Sequence, residues 1–212
     1  MIVQTSFYVA DYEGEPEMTI TTTGETLTRT DQGVEIPAPG TFVLDQSHSE
    51  VGFVTRHMMV AKVRGSFGEF DGTITVAEDP SESSVEASIK VGSIDTRESR
   101  RDAHLRSADF FDAEQYPVAT FKSTKVSPDG PGTWRVEGEL TIREVTRPVV
   151  LDVEFNGVVQ DPYGGQRIGF SATAEINRED FGMTYNALLE SGGVVVSKTA
   201  RIEIDGEAVR AA

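Results

Sequence analysis

The sequence predicts an all-β domain of antiparallel strands. Three observations carry the prediction. Apolar residues recur at every second position along most of the chain, clusters of Pro, Gly, Asp and Ser interrupt that alternation at short intervals, and only one stretch shows helical spacing instead. Period 2 with one apolar face marks half-buried strands whose other face meets water. Strands with short connections close into a barrel or stack as a sandwich, and the pattern alone leaves both open.

The elements follow in order. Residues 1–39 stand apart, with seven acids and a single base, Arg29. Within them Met18–Thr30 is rich in β-branched Thr with Gly24 as a turn candidate, which predicts a short hairpin. Ile36-Pro37-Ala38-Pro39-Gly40 reads as a stiff linker that ends this acidic extension. A β-domain is expected over residues 40–206 and a short tail over 207–212. Alternation begins at Phe42 and Leu44, then runs through Val51-Phe53-Thr55-His57, Phe70-Gly72-Ile74-Val76 and Val85-Ala87-Ile89-Val91. Beyond the middle it resumes in Trp134-Val136-Gly138-Leu140-Ile142, Val149–Phe155 and Ile168–Ile176, and ends in Val194–Ile204. Turn chemistry separates the runs at Asp79-Pro80, Pro128-Asp129-Gly130 and Asp161-Pro162-Tyr163-Gly164. The exception, residues 98–116, sets Leu105, Ala108 and Phe111 at helical spacing before Pro117, and predicts a helical insertion.

Composition excludes several functions. The net charge of -16 repels nucleic acid and anionic bilayers. With no cysteine there are no disulfides, no Cys-ligated metal centre and no thiol nucleophile. No run approaches the roughly 18 apolar residues of a membrane-spanning helix. The opening MIVQTSFYVADYEGEPE lacks a basic, then apolar, leader pattern, so a cytoplasmic location is expected.

Candidate chemistry is sparse. The three histidines, His48, His57 and His104, show no metal-ligand spacing, so no metal site is expected. Ser47-His48-Ser49-Glu50 has triad residue types, but neighbours in a strand point to opposite faces. No nucleophile elbow, P-loop or dinucleotide fingerprint is present. His57 lies on an apolar face, as a hydrogen-bonded core histidine or as a ligand contact. Arg97, Arg100, Arg101 and Arg106 lie within ten residues, either as a surface laced by ion pairs or as an anion clamp. Many of the eleven Phe fall on inward positions, and small inward residues such as Gly72, Gly138 and Ala172 leave volume unfilled if strands close around them. A barrel of about eight strands either fills itself or holds one slim ligand; the pattern does not choose.

Several motifs together resemble the YceI family. They are His48-Ser49-x-Val51-x-Phe53-x-x-x-His57, Val63-Arg64-Gly65-x-Phe67-Gly68-x-Phe70-x-Gly72, Ser93-Ile94-Asp95-Thr96, and Arg101-Asp102-x-His104-Leu105-x-Ser107-x-Asp109-Phe110-Phe111. Phe121-x-Ser123, Gly138-x-Leu140-Thr141-Ile142, Val145-Thr146-x-Pro148-Val149 and Asn177-Arg178-x-Asp180-Phe181-Gly182 continue the match, in order, over about 40–205. The family usually has Gly where Glu144 stands and often an acid where Lys198 stands. The resemblance implies an eight-stranded antiparallel lipocalin-like β-barrel with a helical insertion, often dimeric. It implies binding and carriage or sequestration of a long amphipathic lipid, with isoprenoid quinones and polyprenyl pyrophosphates as type ligands, and no enzymatic cofactor beyond such a bound lipid. On this reading Phe53, Phe67, Phe70, Phe110, Phe111, Phe121, Phe170 and Phe181 would line the tail site. His57, Arg101, His104 and Arg106 would hold the head group. Two other classes stay open: a stress-related interaction module without a physiological ligand, and an enzyme acting on a hydrophobic small molecule through His57 or His104.

Overall fold

The alternating segments form strands, and the computed structural model describes residues 27–31, 33–187 and 194–211. In chain order these are β1 (Thr28–Asp31), β2 (Val34–Pro37), β3 (Gly40–Leu44), β4 (Glu50–His57), β5 (Ala61–Phe67), β6 (Phe70–Val76), β7 (Ser84–Lys90) and β8 (Ile94–Asp95). After the helix α1 (Ser99–Arg106) come β9 (Val118–Gly130), β10 (Thr133–Ile142), β11 (Val145–Gln160), β12 (Gln166–Asn177) and β13 (Val196–Arg210).

The sheet closes. Strands β3, β6, β7, β9, β10, β11, β12 and β13 form a ring of antiparallel neighbours, so the molecule is an eight-stranded barrel and not a two-layer sandwich. β13 is the hub. One edge pairs with β12 from Thr199 to Val209; the other pairs with β4 between Val196 and Asp205, then with β3 between Ala208 and Arg210. β3 and β4 thus behave as one strand broken at a short 3₁₀ turn, Gln46–His48, which Asp45 caps by accepting from the Ser47 amide at 3.0 Å. Beyond the break β4 pairs with β5, and β5 with β8. This ribbon and the segment around α1 complete the upper end of the barrel.

The helix is shorter than the expected 98–116. Glu98 caps it, accepting from the amides of Arg100 and Arg101, and it ends at Ser107. Leu105 is its one large apolar residue, and Ser107, Asp109 and Asp112 favour local turns over helix. The chain instead folds back, with the Phe111 amide donating to the Leu105 carbonyl at 3.0 Å and Asp112 in the left-handed region (φ 48°).

The N-terminal region also departs from expectation. Most of Met18–Thr30 and its Gly24 turn lie outside the described residues. Among the described residues a hairpin forms as β1 and β2 around Gly33, pairing Thr28 with Pro37 and Asp31 with Val34. It runs into the stretch read as a linker: Ile36 is 3% exposed. Proline at a strand's end breaks no ladder it must serve, which is why Pro37 is tolerated there. Arg29 ties the hairpin to the barrel through the carbonyls of Ala77 and Glu78. At the other terminus β13 continues to Arg210, through residues expected as a tail. Ala208 is fully buried against Phe42 and Ile168, because inward alternation persists to the end of the strand.

Candidate functional site

The interior is hollow, in three adjoining chambers. An upper cavity of about 120 Å³ lies between β4, β5, the α1 segment and the end of β12. A middle cavity of about 140 Å³ shares Val51, Ile89, Leu140 and Ile202 with it. A floor cavity of about 120 Å³ shares Ile74, Val85, Val136 and Phe170 with the middle one and is bounded by Ile36 and Pro37 of the N-terminal hairpin. Shared walls make them successive compartments along the barrel. Their surfaces are almost wholly apolar.

Register explains the shape. Phe53 lies opposite Ile202, Val51 opposite Ile204 and Thr55 opposite Ala200, all inward. The aromatic rings do not fill the lumen because glycines on neighbouring strands receive them. A Cβ on Gly65 would sit 2.7 Å from the Phe53 ring, one on Gly138 2.4 Å from Phe121, and one on Gly206 2.4 Å from Phe170. Each ring lies against the wall where no side chain stands. Gly138, expected to leave empty volume, is therefore covered; the free space lies elsewhere along the axis.

The expected tail residues divide by chamber. Phe53, Phe67, Phe110 and Phe111 line the upper cavity, with Phe67 centred 6.0 Å from Phe53 and 5.7 Å from Phe111. Phe70, Phe121 and Phe170 line the middle one, and Phe170 also reaches the floor. Phe181 lines none of the three: it is 1% exposed, packed inside the main core cluster under the turn that follows β12.

The expected head-group residues are placed differently. Arg101 donates through Nε to Thr96 Oγ1 at 2.7 Å and through Nη2 to the Thr96 carbonyl at 2.8 Å. Arg106 donates to the carbonyls of Gly92 and Ile94, both at 2.7 Å. Both guanidinium groups thus tie α1 to the β8 segment, and neither lines a chamber. Asp102, buried, completes this tie by accepting from the Thr96 amide and hydroxyl at 2.9 and 2.5 Å. His104 Nε2 lies 2.8 Å from Asp109 Oδ2, and its ring meets Phe110 and Tyr185 edge-on. His57 is half-buried at the end of β4, paired with Ala61 and Val196, and lines no chamber.

Arg178 was missed as a site residue. It is 5% exposed and lines the upper cavity. The signal was there: the inward parity of Ile168, Phe170, Ala172, Ala174 and Ile176, extended by two, lands on it. Nε donates to the Ser197 carbonyl at 2.9 Å and Nη1 to the Met183 carbonyl, while Nη2 has no hydrogen-bond partner among the described residues. Its carbon Cζ lies 5.9 Å from the Phe110 ring centroid. Burial pushes its guanidinium below the usual value, with Glu179 opposing. A buried donor left unpaired costs about 1–3 kcal/mol, more when charged.

A second polar cluster lies outside the lumen. Asp45, His48 and Glu207 approach closely enough to suggest cation ligands, but Arg167 already occupies the gap, bonding Asp45 at 2.7 Å, Glu207, and Asp161 at 2.9 Å. Ser47 and His48 do meet, contrary to the strand argument, because they lie in the 3₁₀ turn. Ser47 Oγ at 3.0 Å and Asp45 Oδ2 at 2.9 Å both address His48 Nδ1, so the imidazole cannot link them in series.

Comparison with known proteins now decides the family. The family model described as the YceI-like domain matches residues 42–208. The chain belongs to the YceI family. Among curated relatives of this YceI protein, a UPF0312 protein of Vibrio cholerae is 41% identical over 147 residues, covering 67% of this chain and 77% of its own. A UPF0312 protein of Staphylococcus aureus is 38% identical over 168 residues, 78% of this chain and 95% of its own. Among solved structures, Burkholderia cenocepacia BcnA superposes with a TM-score of 0.66 at 25% identity, over 77% of this chain and 98% of that one. The Campylobacter jejuni YceI protein gives a TM-score of 0.64 at 31% identity, over 74% and 90%. A Saccharophagus degradans domain described as polyisoprenoid-binding shares the fold, with a TM-score of 0.57 at 18% identity over 82% and 100%. The two family departures are absorbed locally: Glu144 accepts from the Tyr116 hydroxyl at 2.8 Å, and Lys198 pairs with Glu179 at 2.8 Å.

Proposed function

We propose that this YceI protein binds a long amphipathic lipid of the polyisoprenoid class, isoprenoid quinone or polyprenyl pyrophosphate in type, and carries or sequesters it without chemical change. The observation that carries the reading is the row of three apolar chambers running from the α1 end of the barrel to the N-terminal hairpin. A compact ligand needs one chamber; a slim chain uses several in series. Each buried methylene returns about 0.8 kcal/mol, so a tail of about ten buried carbons supplies roughly 8 kcal/mol before association and ordering costs. The Saccharophagus neighbour, described as polyisoprenoid-binding, supports the same class. Native mass spectrometry of the purified protein, followed by solvent extraction, tests this. The expected result is a lipid adduct that extracts as an isoprenoid. Failure to find one, together with failure of the stripped protein to take up ubiquinone or geranylgeranyl pyrophosphate, overturns it.

A further inference from the structure

The upper chamber contains one cation with an unspent donor. Arg178 is held on two sides by the Ser197 and Met183 carbonyls, which fix the guanidinium plane and leave Nη2 without a partner among the described residues. Phe110 lies along one side, and the remaining wall, including Phe53, Phe67 and Met183, is apolar. Glu179, the nearest acid in sequence, is committed to Lys198 at 2.8 Å. A buried charge in such a setting calls for a counter-charge; Arg178 differs in this from Arg101 and Arg106, which line no chamber and are bonded to the β8 segment.

We propose that Arg178 is the buried anchor of an oxyanion head group, a phosphate or carboxylate, which occupies the upper chamber while the tail runs down through the middle chamber towards the floor. Nη2 donates to the oxyanion, and a guanidinium pre-set by two carbonyls loses little freedom in doing so. The assignment rests on the lipid-binding reading and sharpens it: the head is gripped inside the barrel at the end of β12, not by the Arg101–Arg106 cluster on α1. It also orders ligands by head charge.

Three probes with one tail separate the possibilities: geranylgeranyl pyrophosphate, geranylgeranoic acid and geranylgeraniol, titrated by calorimetry into the stripped full-length protein and into Arg178→Gln and Arg178→Lys. In the unaltered protein both oxyanions should bind at least tenfold more tightly than the alcohol. Arg178→Gln should remove that advantage while leaving alcohol affinity within about twofold, and Arg178→Lys should restore part of it. Equal affinity for all three heads in the unaltered protein overturns the proposal even if Arg178→Gln does not fold. Equal loss across all three in a folded Arg178→Gln variant also overturns it and makes the residue a wall support. In both cases lipid binding itself stands. Binding of none of the three by the unaltered protein overturns this proposal, and failure to take up ubiquinone as well removes the lipid reading with it.

Discussion

At the scale of the residue, the lumen exists because glycines and phenylalanines are paired across neighbouring strands. Phe170 faces Gly206 directly in register, as Phe53 faces Gly65. The rings lie on bare backbone, and the axis stays open. Gly206→Ala should therefore push Phe170 inward. We expect a loss of about 1–3 kcal/mol in urea unfolding, the usual cost of overfilling a packed site, together with weaker lipid retention; unchanged retention would show that the ring has another place to go. The Asp45 cluster makes a separate prediction. Hydrogen bonds from Ser47, Arg167 and His48, in that order, hold the Asp45 carboxyl well below the usual carboxylate range. A folded-state value depressed below the unfolded one, about 3.9, stabilises the fold above that pH and ceases to do so as pH falls through the folded value. Melting temperature followed from pH 6 to pH 2 should fall more steeply for the natural protein than for Asp45→Asn. Parallel curves would assign the acid loss to other groups. Arg178 shows what close reading could have found: its inward parity was legible, whereas its spare donor depends on contacts to Ser197 and Met183 that no local pattern encodes.

At the scale of the element, alternation specified the barrel strands well because each buries one face, so a one-residue slip would turn the whole apolar set to water. Elements without that constraint were less legible. α1 ends early because a single leucine anchors it. The β1–β2 hairpin turns at Gly33, which no sequence signal singled out, and Ile36, inside an apparent linker, has a long-range destination that sequence spacing does not reveal. Ile36 should be the pin of this hairpin. Ile36→Asp would bury a carboxylate against the floor chamber, and local release costs less than keeping it there. Hydrogen exchange should then show protection lost in Thr28–Pro37 and kept in β10 to β12. Loss of protection throughout would mean that the hairpin is integral to the barrel's stability.

At the scale of the whole molecule, closure was the question that pattern could not answer. Barrel and sandwich share the same alternation; what separates them is whether the last strand returns to the first, a contact between Ala208–Arg210 and Phe42–Leu44 across almost the entire domain. The family resemblance supplied the answer that periodicity lacked. The chain's one tryptophan, Trp134, stands in the wall of the floor chamber, beside the apolar residues of the hairpin. The protein thus carries a built-in optical gauge at the hairpin end of its lumen. Occupants too short to travel that far should leave the indole emission untouched, and those of sufficient reach should shift it. A series graded by isoprene units and followed by intrinsic fluorescence should accordingly show a step, not a slope, at the length where the guest first touches bottom.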